Sequence, residues 1–585
     1  MERMTIASLR RDYLTGSRLP SEVIATVFAA IRARGTRPVW ISLAAESAAI
    51  ARADSLDLAL PLAGVPFAVK DNIDVEGMTT TAGCPSFSYV AQKSAPVVAR
   101  LLDAGAVLIG KTNMDQFATG LVGTRSPYGA CSNVFDSRYI SGGSSSGSAV
   151  AVALGQCAFS LGTDTAGSGR IPAAFNNLIG LKPTRGLLST AGIVPACRSL
   201  DCVAIFASTA ADAELVWSIA QGLDEDDPFS RRCGDDAAPW LGSAFRFGVP
   251  NEPDLEFFGD ADARALYRAA VERLEALGGT RVPIDFGPFG KAAALLYAGP
   301  WVAERFAAVG EFIMRDPGGV DPTVGAIIKS GAAYTATDVF RAEYRLRELE
   351  RRTADEWAAM DVLLLPTAGT IYTKAAVAAD PVGLNSNLGY YTNFVNLMDL
   401  AAIALPAGFR GDGLPFGVSL ISRAFGDRAI MALAARFCGE ARPTPAEPIG
   451  CINVAVVGAH LSGQPLNHQL TTRGARLIKA CRTAKEYRLF ALPDTAPPKP
   501  GLVRDPNHQH ACAIALEVWA VPEHQFGSFV AAVPPPLAIG NVKLDSGEWV
   551  KGFVCEPLGL NGATEITRFG GWIPYLSSSR VELPV

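Results

Sequence analysis

The chain has 585 residues, 49% of them hydrophobic and 19% charged, with a formal net charge of −5 at pH 7. A chain of this length has room for roughly two to four domains with large buried cores. The mildly acidic balance, without a long Lys/Arg run, argues against a nucleic-acid partner, and no apolar run reaches the roughly 18–20 residues that a membrane span needs.

The first part of the chain alternates between helical and strand patterns. Residues 1–60 space their apolar side chains helically, and a helix over Val23–Ile31 is expected to be capped at Ser21 or an adjacent residue. Short apolar runs then predict strands at Val65–Val69, Ala106–Ile109, Cys157–Leu161, Phe245–Val249, Asp361–Leu365 and Ala401–Leu405. Helices are predicted at Ser94–Asp103, Ser148–Leu154 and Ala263–Leu277, and the highly charged segment Arg341–Met360 is expected on the surface. This alternation predicts an α/β domain over residues 1–440, with helices on both faces of a sheet.

The composition changes at residues 441–450, which read Ala-Arg-Pro-Thr-Pro-Ala-Glu-Pro-Ile-Gly. Three prolines among polar residues favour neither helix nor sheet, so this segment is predicted to be a linker. Residues 451–585 form a second predicted domain that begins with an apolar run at Ile452–Val457. Its short β-like runs and prolines indicate a small α+β or barrel-like fold.

Histidine and cysteine usage narrows the chemistry. All histidines lie in the last quarter of the chain: His460, His468, His508, His510 and His524. An enzyme within the first 459 residues therefore cannot use a Ser-His-Asp triad or a histidine-ligated metal of its own. The 11 cysteines are scattered without a CxxC pair, and the start, Met1-Glu-Arg-Met-Thr5, lacks the layout of a secretory signal. Both features predict a cytoplasmic enzyme with reduced thiols.

One segment matches a nucleotide-binding pattern by letter only. Gly105-Ala-Val-Leu-Ile-Gly110-Lys111-Thr112 satisfies the spacing of a phosphate-binding loop. Such a loop needs flexible backbone that turns its N–H groups toward phosphate, whereas Ala-Val-Leu-Ile is itself a strand. A buried strand that ends in a turn is the favoured interpretation.

Two Gly/Ser-rich loops are stronger candidates for a site. Ser141–Ser148 precedes a small-residue helix, and Gly162–Arg170 follows a predicted buried strand, so neither is placed as a linker. A turn of this kind can present consecutive N–H groups to an oxyanion beside a serine hydroxyl. A serine nucleophile needs a base, and a buried lysine can serve if its amine is neutral near pH 7. Three lysines end apolar segments, and spacing alone does not choose among them: Lys70, Lys111 and Lys182.

Four segments in this order resemble the amidase signature family. They are Gly64-Val-Pro-Phe-Ala-Val-Lys-Asp-Asn72, Gly142-Gly-Ser-Ser-Ser-Gly-Ser148, Gly162-Thr-Asp-Thr-Ala-Gly-Ser-Gly-Arg170 and Gly180-Leu-Lys-Pro-Thr184. The resemblance covers roughly residues 20–440 and implies a mixed-sheet α/β/α domain. Ser146 and Ala166 stand where many members have glycine, and neither change removes a reacting group.

The resemblance also implies roles for individual residues. Lys70 would be the base, Ser144 the relay and Ser168 the nucleophile of a Ser-cisSer-Lys triad, with no cofactor and no metal. Asp164 and Arg170 are interpreted as bracing the loop. The oxyanion would be held by the backbone N–H groups of Thr165, Ala166, Gly167 and Ser168.

Further segments resemble the allophanate hydrolase branch of that family. They are Lys111–Tyr128, Ala173–Asn177, Leu296–Arg305, Val457–Asn467 and Lys551–Glu556. In that branch the C-terminal domain is similar to gamma-glutamylcyclotransferase folds. It is implicated in decarboxylating N-carboxycarbamate, which is the first product of the amidase step. The resemblance therefore implies an amidohydrolase that converts allophanate, a small anionic amide, to ammonia and carbon dioxide. It also implies a place in urea degradation or in the last step of cyanurate breakdown, with urea carboxylase as a candidate partner, and a homodimeric assembly.

Tyr297 and Arg305 match the branch's contacts to the substrate carboxylate. Arginine suits such a site because its planar fork binds carboxylates with two hydrogen bonds. The spacing of eight places both residues on a similar face if the segment is helical. The alternative is a surface ion pair between Arg305 and Glu304 or Glu311.

His460 follows the first apolar run of the second domain, and the resemblance implies that it would be the acid or base of this decarboxylation. A structural histidine is the alternative, and because carbamates lose carbon dioxide spontaneously, the domain could serve assembly alone. His508 and His510 are interpreted as a solvated loop, since no nearby Cys or acid completes a metal site. Two other enzymes compete with the allophanate assignment: a short-chain or malonamate-type amidase, and a glutamine amidohydrolase subunit of a larger complex. A further alternative is an interaction subunit with an inactive core, although all three triad positions are filled.

Overall fold

The computed structural model describes residues 4–34, 38–232, 241, 244–440 and 451–579. The chain divides into two units, Met1–Arg442 and Pro443–Val585. The linker predicted at residues 441–450 lies outside the described residues. Each unit has its own buried apolar clusters and is described by itself.

The first unit is built on an 11-stranded sheet within its described residues. Its strands, with the small hairpin β3–β4 included, are β1 (Trp40–Leu43), β2 (Pro66–Lys70), β3 (Thr79–Thr80), β4 (Tyr89–Val90), β5 (Val107–Thr112), β6 (Phe159–Asp164), β7 (Ile179–Lys182), β8 (Cys202–Ala207), β9 (Phe245–Pro250), β10 (Gly279–Ile284), β11 (Val362–Pro366), β12 (Leu400–Phe409) and β13 (Pro415–Arg423). The order in the sheet is β1-β5-β2-β6-β8-β7-β12-β13-β11-β9-β10. Strands β5, β2 and β6 are parallel, whereas β6, β8, β7, β12 and β13 pair antiparallel, so the sheet is mixed as predicted.

Helices pack around this sheet. They are α1 (Ile6–Thr15), α2 (Pro20–Ala33), α3 (Glu46–Ser55), α4 (Pro96–Asp103), α5 (Ser146–Ala153), α6 (Ile171–Phe175), α7 (Ala210–Ala220), α8 (Ala261–Ala276), α9 (Gly287–Ala298), α10 (Trp301–Arg315), α11 (Pro322–Ser330), α12 (Ala336–Ala359), α13 (Lys374–Ala379), α14 (Gly383–Leu388), α15 (Phe394–Leu397) and α16 (Asp427–Phe437). Both sheet faces are covered, because alternate residues of β12 enter different clusters. Ile403 and Leu405 join one cluster, whereas Ala402 and Ala404 join two others.

The N-terminal segment differs from the purely helical prediction. Trp40–Leu43 is a strand that pairs antiparallel with β5 at the edge of the sheet. Helix α2 begins at Pro20 with Leu19 as its N-cap, so Ser21 is already helical. Proline suits the first helical position, since its missing N–H needs no partner there, and the Leu19 N–H donates to Glu22 Oε2 at 3.0 Å.

The segment that matches a phosphate-loop pattern is a strand, as the favoured interpretation predicted. Gly110, Lys111 and Thr112 continue β5 and are buried. Lys111 Nζ lies 3.6 Å from Asp71 Oδ1 in a fully buried ion pair. This lysine is therefore a structural cation inside the sheet.

The second unit combines a five-stranded and a three-stranded sheet within its described residues. Its elements are β14 (Cys451–Val456), α17 (His468–Thr471), β15 (Arg476–Arg482), β16 (Tyr487–Ala491), β17 (Pro500–Arg504), β18 (Ala515–Pro522), α18 (Glu523–Ala531), β19 (Leu537–Lys543), β20 (Trp549–Cys555), β21 (Thr564–Glu565) and α19 (Trp572–Ser579). The larger sheet has the order β15-β18-β14-β20-β19, and the smaller has β17-β16-β21. This is a small α+β fold. Across the described ranges of the chain, no helix is long and apolar enough to cross a membrane.

Candidate active site

Two neighbouring parallel strands bring Lys70 and the loop that carries Ser168 together. Lys70 is the last residue of β2 and Asp164 the last of β6, and the two strands pair in parallel with Val69 opposite Leu161. The carboxyl ends of parallel strands meet at one edge of a sheet, so the chain that follows β6 turns beside Lys70. Ser168 lies four residues past the end of β6, in this turn.

A continuous hydrogen-bond chain links Lys70, Ser144 and Ser168. Lys70 Nζ donates to Ser144 Oγ at 2.7 Å, and Ser144 Oγ donates to Ser168 Oγ at 3.0 Å. The Gly143–Ser144 peptide bond is cis. All three side chains are buried, with Ser168 the most accessible at 2% exposure. The three residues singled out by the motifs are therefore adjacent in space.

The electrostatics suit a lysine that exchanges protons near neutral pH. Burial lowers the pKa of Lys70 to about 7, against the opposing effect of the carboxylates of Asp115, Asp201 and Asp164. The amine also donates to Thr163 Oγ1 at 2.7 Å. Hydroxyl hydrogens rotate, so when the amine is neutral the same chain can run in reverse, from Ser168 through Ser144 to Lys70.

The loop that carries Ser168 is braced by a buried ion pair. Arg170 Nε and Nη2 each lie 2.9 Å from an Asp164 carboxylate oxygen. Burial alone would raise the pKa of Asp164, but Arg170 and the backbone N–H of Gly169 hold it below its usual range. The pair closes the loop around Ser168, which is the bracing role expected from the sequence.

The backbone N–H groups of this loop differ in whether they already have an acceptor. Gly167, which is also expected in the oxyanion hole, donates its N–H to Asp164 Oδ1 at 2.9 Å. Within the described part of the chain, the N–H groups of Thr165, Ala166 and Ser168 have no acceptor. Gly167 has a φ of +131°, and a Cβ there would lie 2.4 Å from Thr392 Oγ1. Glycine is thus required at this position for space and conformation.

Arg305 lies in the interior, not on the surface. It is 1% exposed, Nη1 donates to Thr119 Oγ1 at 3.0 Å, and Nη2 lies 3.4 Å from Tyr297 Oη. The guanidinium also sits 5.4 Å from the centre of the Tyr297 ring. Glu304, the alternative partner, instead accepts from the Ser199 N–H at 2.6 Å. The two residues that are expected to contact the substrate carboxylate are therefore neighbours.

The spacing argument assumed that Tyr297 and Arg305 lie on one helix, but they lie on two. Tyr297 belongs to α9 and Arg305 to α10, and Gly299-Pro300 separates the two helices. Proline cannot continue the hydrogen-bond ladder of the preceding helix, so the chain changes direction there. The two side chains meet through tertiary packing.

Arg305 is a buried cation with unused donors. Its Nε has no partner among the described residues, and no described carboxylate forms an ion pair with it. Burial alone would lower the pKa of Arg305, but Cys197, Tyr297 and Asp201 outweigh this effect and raise it, so the side chain stays charged. A buried charge without a counter-charge is costly, which points to an anionic ligand.

Sequence reasoning missed three polar residues around the site. Thr163 accepts from Lys70, and Thr119 accepts from Arg305. Asp115 N–H donates to Ser144 O at 3.1 Å, and its carboxylate accepts from the N–H groups of Gly123 and Arg125. All three lie inside segments that resemble the family, so their positions were visible, but their contacts depend on tertiary structure.

In the second unit, His460 borders a cavity of about 240 Å³. It is 9% exposed, its Nε2 lies 3.0 Å from Gln469 Oε1, and its ring stacks on Phe553 with centroids 4.8 Å apart. Burial lowers the pKa of His460, so the neutral ring dominates at pH 7. Lys499 lines the same cavity. The arrangement offers a neutral base beside a cationic side chain.

His508 is partly exposed and His510 is exposed, with ring centroids 5.3 Å apart. Among the residues that the structure describes, no group of three or more His, Cys, Asp or Glu side chains is arranged to hold a metal ion.

Comparison with known proteins gives two family matches. The Amidase family matches residues 23–431, and the Allophanate hydrolase C-terminal domain matches residues 452–577. A urea amidolyase of Lachancea kluyveri is 45% identical over 579 residues, which cover 93% of this chain and 32% of that protein. A glutamyl-tRNA(Gln) amidotransferase subunit of Prochlorococcus marinus is 34% identical over 427 residues, covering 66% of this chain and 86% of the relative.

The solved structure of Kluyveromyces lactis allophanate hydrolase has a TM-score of 0.75 and 42% identity, covering 97% of this chain and 99% of that one. The chain spans about a third of the length of the urea amidolyases that it matches. The family matches, the mixed sheet and the similarity to this solved hydrolase agree. The chain belongs to the amidase signature family of hydrolases and carries an allophanate hydrolase C-terminal domain.

Proposed function

We propose that the chain hydrolyses allophanate, which is urea carrying a carboxylate on one nitrogen, to ammonia and carbon dioxide. The observation that carries this proposal is the buried, unpaired Arg305 in the unit that holds the Lys70–Ser144–Ser168 chain. A substrate carboxylate would supply the missing counter-charge, with Tyr297 beside it. An uncharged amide would leave this cation without a partner.

The triad would act by moving protons along its hydrogen bonds. Neutral Lys70 accepts a proton from Ser144, which accepts one from Ser168, whose Oγ attacks the amide carbonyl. The N–H groups of Thr165, Ala166 and Ser168 stabilise the oxyanion of the tetrahedral intermediate. Ammonia leaves with the proton returned through Ser144. Water then gives a proton to Lys70 through Ser144 and attacks the acyl carbonyl, and Ser168 regains its proton as the acid product leaves.

The second unit would act on the first product. N-carboxycarbamate carries two carboxylates, and the cavity beside His460 offers Lys499 as a counter-charge. We propose that neutral His460, oriented by Gln469, assists the loss of carbon dioxide. Support comes from the position of His460 at the cavity and from the family match of this unit.

The partner and assembly follow from the same proposal. Allophanate forms when urea is carboxylated, so we propose urea carboxylase as the partner that supplies the substrate. The matched urea amidolyases are about three times longer than the aligned region, which leaves room in them for a further activity. A cytoplasmic homodimer is proposed from the family resemblance.

The test is ammonia release by the purified chain from allophanate, urea, malonamate and glutamine. We expect turnover of allophanate, weaker turnover of malonamate and none of urea. Activity on glutamine without activity on allophanate would contradict the proposal and favour a role within an amidotransferase, the enzyme named for one relative. The second unit argues against that alternative, because it lies beyond the Amidase match.

A further inference from the structure

Thr119 is the residue that orients Arg305. Of the two hydrogen bonds that the guanidinium makes to described side chains, the one to Thr119 Oγ1 is 3.0 Å long, within the normal range, whereas the contact to Tyr297 Oη is 3.4 Å. A long arginine side chain has many rotamers, and one good hydrogen bond selects among them. The direction of the unused donors of Arg305 therefore depends on Thr119.

Thr119 is itself held by its own segment. Its Oγ1 donates to Phe117 O at 3.1 Å, which leaves the lone pairs of the hydroxyl for Arg305. Its carbonyl accepts from Arg125 Nη1 at 3.1 Å. Phe117 and Ala118 have φ values of 48° and 52°, so the backbone adopts a left-handed turn here. The hydroxyl is thus a fixed acceptor.

The next residue touches the nucleophile. Gly120 O lies 3.5 Å from Ser168 Oγ. Gly120 has a φ of +152°, and a Cβ there would lie 2.8 Å from Asp115 Oδ2. Two consecutive residues therefore contact Arg305 through the Thr119 hydroxyl and Ser168 through the Gly120 carbonyl. The separation between the two is set by this short, rigid piece of backbone.

We propose that Thr119 is a specificity-determining positioning residue, which holds Arg305 at a fixed distance from Ser168 and so selects amides whose carboxylate is one atom from the scissile carbonyl. The inference rests on the proposed function, since it takes the ligand of Arg305 to be a substrate carboxylate. Allophanate and malonamate have this spacing, whereas succinamate has one more methylene. Without the hydroxyl, the guanidinium can follow a carboxylate at either distance.

The test compares the wild type with Thr119→Val, which keeps the shape and removes the acceptor. Ammonia release is measured with allophanate, malonamate, succinamate and uncharged propionamide. We expect Thr119→Val to raise KM for malonamate roughly tenfold, the effect of one charge-assisted hydrogen bond, while kcat on malonamate and kcat/KM on propionamide change by less than about threefold. The wild-type preference for malonamate over succinamate should largely disappear, and Thr119→Ser should restore it.

The matched control is Thr370→Val, which removes a hydroxyl that donates to Asp260 Oδ2 at 2.8 Å. It should leave the preference unchanged. Equal losses on malonamate and propionamide in Thr119→Val, a retained preference, or a wild type that does not discriminate would each overturn the inference. Thr119→Val could reduce the preference for malonamate over succinamate in an enzyme whose wild type does not cleave allophanate. In that case the proposed function fails and the positioning role stands.

Discussion

Lys70 of the first unit and His460 of the second are both buried titratable groups, but their surroundings differ. Lys70 is 0% exposed and donates to two hydroxyls at 2.7 Å, whereas His460 is 9% exposed and has one side-chain hydrogen bond at 3.0 Å. Burial brings the pKa of Lys70 from 10.5 to about 7, while His460 starts at 6.5 and is only lowered further. A lysine needs complete burial and neutral hydroxyl partners to become a base near pH 7, and a histidine needs neither.

The two regions also differ in how completely the site is built. In the first, Ser144, Ser168 and Thr163 are linked by direct hydrogen bonds, so a proton can move between fixed atoms. In the second, His460 packs against Phe553 and faces an open cavity. Loss of a group should therefore be severe in the first unit and mild in the second.

The largest effect is expected from the triad. Ser168→Ala and Lys70→Met should each lower kcat for ammonia release from allophanate by about 10³-fold or more, because one removes the nucleophile and the other its base. Steady-state kinetics and circular dichroism separate lost chemistry from lost fold. Ser419→Ala is the matched control, since its hydroxyl pairs with Thr367 at 2.9 Å away from this chain of contacts. A Ser168→Ala enzyme with normal turnover would refute the mechanism.

The second-largest loss of activity is expected from Arg305→Lys. Lysine keeps the charge but lacks the planar pair of parallel N–H groups that matches a carboxylate, so KM for allophanate should rise by roughly tenfold to a hundredfold. Uncharged propionamide is the internal control, and its kcat/KM should change little. Equal effects on both substrates would show that Arg305 supports the fold and not the substrate.

The pH profile tests the lysine directly. The active amine is the deprotonated form, which dominates above its pKa, so kcat/KM for allophanate should rise about tenfold per unit below pH 7 and level off above it. The cation of Arg305 lowers the pKa of Lys70, so Arg305→Met should move the inflection to higher pH. Activity on propionamide that is independent of pH between 5 and 8 would contradict Lys70 as the base.

The smallest effect is expected at His460. His460→Gln should slow carbon dioxide release a few-fold while sparing the first ammonia, because carbamates also decompose unaided. The readout is stopped-flow measurement of both products. His468→Gln is the control, as His468 lies on the surface of the same unit and contacts Pro465 O through Nδ1. If carbon dioxide and ammonia keep pace in His460→Gln, the second unit does not act on the intermediate.

Some features followed from local patterns alone. Helix α8 and strands β2, β9 and β11 lie within two residues of their predicted bounds, because apolar periodicity reports the faces that become buried. Strand β1 escaped prediction, since a four-residue edge strand of mostly intermediate exposure has no clear alternation. The break between α9 and α10 was also missed, although Gly299-Pro300 carried the signal for it.

The sequence by itself determined the chemistry that is available to this protein. With no histidine in the first 459 residues, a buried lysine was a candidate base, and the family resemblance implied Lys70, Ser144 and Ser168. Spacing alone left three lysines open, and the tertiary structure separates them physically: Lys70 reaches Ser144, Lys111 pairs with Asp71, and Lys182 donates to Pro183 O. Two further contacts also depend on the tertiary structure: the Gly167 N–H donates to Asp164, and buried Arg305 donates to Thr119. The reason is physical: motifs specify reacting groups, whereas burial, partners and pKa depend on which strands and helices become neighbours.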